Sequence, residues 1–138
     1  MNIGDLKIPD DLKADALADG RKLTEQERFR LESLLSYIES PLPKFYGLEQ
    51  IESQHSLWTS DSAKDYIGKS NPAVNPGIID IHKTLTIGEA EPDSPIALDY
   101  RDVEPRVIYF GDVDYVCCWI ELSRDYASLV QLIQKEPA

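Results

Sequence analysis

The stretch 84-TLTIGEAEPDSPIALDYRDVEPRVIYFGDVDYVCCWIEL-122 decides the fold. It holds four β-rich runs, at 84–88, 95–100, 106–110 and 115–122. They alternate with polar or proline-bearing links at 89–94, 101–105 and 111–114. β-Branched and aromatic residues suit a pleated, half-buried surface, and links this short join antiparallel neighbours. A four-stranded meander is therefore expected. In the last run Val116, Cys118, Ile120 and Leu122 share one face, and Tyr115, Cys117, Trp119 and Glu121 the other. Both faces are partly apolar, which places this strand centrally in the sheet.

Outside the stretch the hydrophobic period changes to that of helices. Ser123 reads as the N-cap of a final helix, with Asp125 in its first turn and Tyr126, Leu129, Val130 and Ile133 repeating at i, i+3, i+4 and i+7. Near the start, Ile8-Pro9-Asp10 opens a short helix that should stop near Gly20. Thr24 and Glu27 then form a capping-box pattern ahead of the stripe Leu31, Leu34, Leu35 and Ile38. That helix should end at Ser40-Pro41, because proline pushes its predecessor out of the helical region. Residues 41–77 are too apolar for a free loop; helical turns fit near 48–53 and 62–67, and turn chemistry makes 68–77 a loop. The expected architecture is α+β: one domain with a mainly antiparallel sheet of four to six strands, N-terminal helices and a C-terminal helix packed on it.

With 138 residues the chain suits one domain and can fold without disulfide or metal. Its 25 acids and 14 bases give a net charge of −11. The excess is spread out: 11 acids and 7 bases lie in residues 1–60, and 14 and 7 in the rest. Such a surface repels phosphate backbones and anionic membranes, and attracts a basic protein. Residues 1–5 carry no signal-peptide pattern. The longest apolar run, 115–120, is far short of the ~20 residues that span a bilayer, so a cytosolic location is expected. Cys117 and Cys118 are adjacent and lack C-x-x-C spacing, which reads as reduced thiols on opposite faces of a strand.

Patterns for chemistry are sparse. His55 and His82 have no metal-ligand spacing. The seven glycines make no phosphate-binding loop, and no G-x-S-x-G elbow occurs. Asp112-Val113-Asp114 lacks the glycine and distal glutamate of a calcium loop and reads as a turn. No catalytic residue, cofactor or metal is expected. What remains is a surface. Glu89, Glu91 and Asp93 crowd the first link, and Asp112 and Asp114 the third. Alternate turns of a meander lie at one sheet end, so these five carboxylates should share a neighbourhood. Tyr100 and Trp119 are expected on exposed faces beside them, as the aromatics that anchor protein interfaces.

The strand block also carries a family likeness. Residues 94–101 (SPIALDYR), then Pro105-Arg106-Val107-Ile108-Tyr109-Phe110, then Cys118-Trp119-Ile120-Glu121-Leu122 and residues 126–132, preceded by Leu85-Thr86-Ile87-Gly88, resemble the C-terminal half of the SUKH superfamily of Smi/Knr-type domains. The likeness covers about 50 residues, from Leu85 onward. Upstream, Ile8-Pro9-Asp10-Asp11-Leu12 is similar to a common family opening, while the N-G-G turn often found in relatives is absent. The resemblance implies an α+β fold, no shared catalytic residues, and for many bacterial members an immunity role, binding and neutralising a toxin that is often a nuclease. A cytoplasmic immunity protein for a basic toxin domain is the first functional expectation. A regulatory scaffold, as for the fungal cell-wall regulator that names the family in part, is the alternative. A carboxylate-based hydrolase is the remote one. Asp99 and Arg101 match the family motif and should bridge neighbouring strands.

Overall fold

The structure, a computed structural model, describes residues 1–134, the side chain of Ser62 aside. The meander is there; β5 and β7 run three residues past their β-rich runs, and β6 and β8 keep the length of theirs with a shift of one residue. Strands β5 (Thr84–Glu91), β6 (Ser94–Asp99), β7 (Arg106–Val113) and β8 (Val116–Ser123) follow one another as antiparallel neighbours. Two short segments extend the sheet on either side. β3 (Lys44–Phe45) pairs with β5, and β4 (Pro76–Gly77) pairs with β8. The order β3-β5-β6-β7-β8-β4 makes a six-stranded antiparallel sheet. β4 lies inside the segment expected to be a loop. Pro76 and Gly77 are poor strand formers, and the free edge of β8 supplies the pairing. A separate hairpin, β1 (Asn2–Ile3) with β2 (Leu6–Lys7), opens the chain.

Helices cover both sheet faces. On one face lie α1 (Asp10–Leu17), α2 (Glu25–Leu34) and α4 (Tyr126–Gln134), whose Leu12, Leu31, Leu129 and Ile133 bury against Leu85, Ile87, Ile96, Leu98 and Val107. The 13-residue helix α3 (Leu48–Ser60) is much longer than the turn expected there. Its Ile51 joins this first core, while its Trp58 reaches the other face. There a five-residue 3₁₀ segment (Ser62–Tyr66) and Ile79 close over a smaller core of Trp58, Ala63, Ala97, Ile108, Phe110 and Trp119.

The helix ends follow from local chemistry. Thr24 Oγ1 accepts the Glu27 N–H at 3.1 Å, and Glu27 Oε1 accepts the Thr24 N–H at 3.0 Å, completing the capping box. The Thr24 N–H, followed by the Arg21 guanidinium, holds the Glu27 carboxyl below the usual range against the opposing effect of burial. Arg21 also reaches Asp15 at 3.4 Å, and Asp15 accepts the Tyr126 hydroxyl at 2.7 Å, so one polar network ties α1, α2 and α4 together. Thr24→Ala should cost about 1 kcal/mol, read as a lower midpoint in urea with an unchanged slope.

Two helix expectations need correction. α2 stops at Leu34 instead of running to Ser40, although Leu35 and Ile38 are still buried. Tertiary bonds take over the backbone there: Tyr37 N–H donates to the Tyr109 hydroxyl at 3.2 Å, and the Tyr37 carbonyl accepts the Asp112 N–H at 3.1 Å. At α4 the cap is Asp125, not Ser123. Asp125 Oδ1 accepts the Ser128 N–H at 2.7 Å, while the Ser123 hydroxyl donates to the Asp125 carbonyl. At the other end of α4, Arg30 donates to the Ile133 carbonyl at 2.7 Å, placing a cation where the helix dipole favours one.

Candidate functional site

The sheet order brings the β5–β6 and β7–β8 turns to the same end. Neighbouring strands lie about 4.8 Å apart, so the two turns sit roughly 10 Å from each other, close to the screening length of physiological salt. Both turns are tighter than the links suggested. Only Pro92 and Asp93 lie between β5 and β6, and only Asp114 and Tyr115 between β7 and β8. Asp93 has φ 70°, and Asp114 and Tyr115 have φ 52° and 66°. Two successive left-handed residues are the signature of a type I′ hairpin, where Asn-Gly or Asp-Gly is usual. Tyrosine in the second place is strained, and its side chain is 99% exposed.

The five carboxylates fall into different roles. Glu89 and Glu91 belong to strand β5. Glu89 pairs with Lys44 at 3.3 Å across β3–β5, and Glu91 Oε1 accepts the Ser94 hydroxyl at 3.2 Å. Asp93, Asp112 and Asp114 are exposed, and among the described residues none of them has an ion-pair partner. Free negative charge at this end therefore sits on three aspartates. Beside the β7–β8 turn, Lys64 and Lys69 line a groove with Tyr115 and Cys117, which bounds the acidic patch on that side.

Neither expected aromatic anchor is available. Trp119 is fully buried, contrary to its expected exposure. Gly68 explains why: at φ 86° it passes so close that a Cβ there would lie 2.9 Å from Trp119 Cδ1. The chain thus lies flat on the indole, whose Nε1 donates to the Tyr66 carbonyl at 2.6 Å. Tyr100 is half-buried against the first core, and its hydroxyl donates to the Lys7 carbonyl of the N-terminal hairpin at 2.7 Å. Burial pushes that hydroxyl far above the ordinary range. The aromatic residue the acidic end does present is Tyr115. Reading Asp114-Tyr115 as a two-residue hairpin loop is the sequence signal that finds it.

Asp99 bridges β6 to β7, but its partner across the strands is Arg106; Arg101 lies just past the end of β6 and folds back on Asp99 from the same segment. Asp99 is 1% exposed and takes Arg101 through Nε and Nη2, each at 2.9 Å, and Arg106 Nε at 2.9 Å from the facing position of β7. Burial alone would raise its carboxyl; the hydrogen bonds from the two guanidinium groups outweigh that and hold it below the usual range. Glu27 and Asp125 are displaced downward as well. A carboxylate-based hydrolase needs a carboxyl displaced upward in a cleft, and these three do not supply it.

Cys117 is exposed and Cys118 buried, both as free thiols. Among the described residues no group of three or more His, Cys, Asp or Glu side chains could hold a metal ion. No helix among them is long and apolar enough to cross a membrane. The chain matches no family model, no curated protein and no solved structure.

A second feature lies on the same half of the sheet. Between α3 and the β5–β6 hairpin is a cavity of about 310 Å³, lined in part by Tyr46, Trp58, Tyr66, Thr86, Glu89 and Asp93. Burial, with help from the Glu89 carboxylate, pushes the Tyr46 hydroxyl up to about 12. Sequence reading missed this cavity because its walls come from separate elements, with no spacing that links Trp58 to Thr86.

Proposed function

We propose that this chain is a cytoplasmic protein-binding domain of the SUKH type, an immunity protein that neutralises a basic toxin domain by direct contact. One observation carries the reading: Asp93 and Asp114 in two neighbouring turns, Asp112 near the end of β7, and the fully exposed Tyr115 gather at one end of the sheet, the three aspartates without an ion-pair partner among the described residues. Fixed negative charge on rigid turns speeds the encounter with a cationic partner, and a rigid exposed aromatic offers contact area at low entropic cost. A nuclease is the kind of toxin whose phosphate-binding cleft carries the complementary charge. The likeness of the strand block to Smi/Knr-type domains points the same way. No reaction step is assigned to the chain.

Co-expression with the toxin encoded beside its gene is the test. Cells carrying both should grow, and cells carrying the toxin alone should not. Killing that persists in the presence of the folded chain contradicts the proposal.

A further inference from the structure

The cavity between α3 and the β5–β6 hairpin contains two polar groups with unmet needs. Trp58 and Thr86 are 4% and 5% exposed, and both line the cavity. Trp58 Nε1 and Thr86 Oγ1 are buried without any hydrogen-bond partner. Leaving such a group unmade costs about 1–3 kcal/mol, so a natural core seldom keeps two together without a use. An indole N–H only donates, and a threonine hydroxyl can donate or accept. Both atoms are closed to water, so an acceptor such as a carbonyl reaches the indole N–H only as the cavity wall gives way to an entering residue. At the cavity's acidic wall Asp93 is unpaired among the described residues, and Glu89 shares its charge with Lys44. That wall calls for a cation. Between them stand Tyr66, tilted at 32° to Trp58 with ring centroids 5.8 Å apart, and Tyr46. Aromatic surface of this kind stacks with a guanidinium.

We propose that this cavity receives one arginine residue of an extended partner segment, its main-chain carbonyl accepting from Trp58 Nε1 and its guanidinium engaging Asp93. The cavity volume lies at the low end for ligand sites, which suits a single side chain better than a whole small-molecule cofactor. A bare cation would leave the indole N–H unmade, and an uncharged residue would leave Asp93 unmatched. The inference rests on the reading of a basic protein partner and names the residue it would insert.

The probe is N-acetyl-arginine amide, titrated into the full-length ¹⁵N-labelled chain. The protein has two tryptophans, so its spectrum carries two indole N–H signals. The Trp58 signal should move saturably, with a Kd on the order of a millimolar for a ligand of this size. The Trp119 signal, already bonded to the Tyr66 carbonyl, serves as the reference. Asp93→Asn should weaken binding roughly tenfold. N-acetyl-alanine amide should not bind. Thr86→Val, which removes an unmade hydroxyl without changing shape, should leave the fold at least as stable and the Trp58 shift intact. No movement of the Trp58 signal, or equal binding of the alanine amide, overturns the site. If toxin rescue survives that result, the immunity reading stands without the cavity. If the arginine amide binds but no rescue occurs, the cavity stands and the immunity reading falls.

Discussion

Asp99→Ala should destabilise the chain by about 3 kcal/mol, enough to lower its melting temperature by roughly 10 °C. Asp99 receives three charged hydrogen bonds beside the β6–β7 pairing, and it is almost out of contact with water. Removing it leaves the Arg101 and Arg106 guanidinium groups without the carboxylate they share. Breaking one member out of a buried pair typically costs about 3–5 kcal/mol. The low end applies here because Arg106 keeps Glu121 at 3.4 Å and the Arg101 side chain is still 29% exposed. Asp99→Asn preserves the shape and should lose about 2 kcal/mol.

The same group sets a pH dependence. Its folded carboxyl holds its proton less tightly than in the unfolded chain, where it titrates near pH 4. The stabilisation is therefore complete above about pH 4 and is lost as the pH falls toward the lower folded value. Urea midpoints measured between neutral and acid pH should fall less for Asp99→Asn than for the native chain. Parallel curves for the two would show that this carboxylate contributes nothing.

Trp119→Ala should cost about 3–5 kcal/mol, the usual loss for emptying a large aromatic site in a core. The indole packs against Phe110 at 5.2 Å and edge-on to Trp58 at 6.3 Å, and it holds the Tyr66 carbonyl. All these partners belong to the smaller core, which has few other large side chains to close the gap. This loss lies in folding and not in recognition. The fraction that remains folded should bind a partner as tightly as the native chain. Binding lost in proportion to the missing ring, with the urea midpoint unchanged, would restore Trp119 as an interface anchor and contradict its burial.

The meander was legible because four runs of β-branched and aromatic residues stand between proline and acidic links. The capping box at Thr24 and the stripe of α4 were legible because three-residue and 3.6-residue spacings are local. β3 and β4 were hidden, since two residues such as Pro76-Gly77 carry no periodic signal and become strands only where a finished sheet offers an open edge. The early end of α2 escaped for a similar reason: the bonds from Tyr37 to Tyr109 and Asp112 join residues more than 70 positions apart. At the candidate site, acidic turns at one sheet end followed from strand order alone. The exposure of the aromatics did not. A strand's alternation says that Trp119 opposes Ile120, but what covers the Trp119 face is the segment around Gly68, which read as a loop.

We propose that the acidic end of the sheet engages a cationic protein. The decisive measurement is affinity for the basic toxin domain that the proposal expects beside the gene, taken across a salt series for the native chain and for the triple variant Asp93→Asn, Asp112→Asn, Asp114→Asn. The native chain should bind more weakly as salt rises. The variant should bind roughly ten- to thirtyfold less tightly at low salt, with a flatter salt dependence. Equal affinity and equal salt slopes for the two chains would contradict the account.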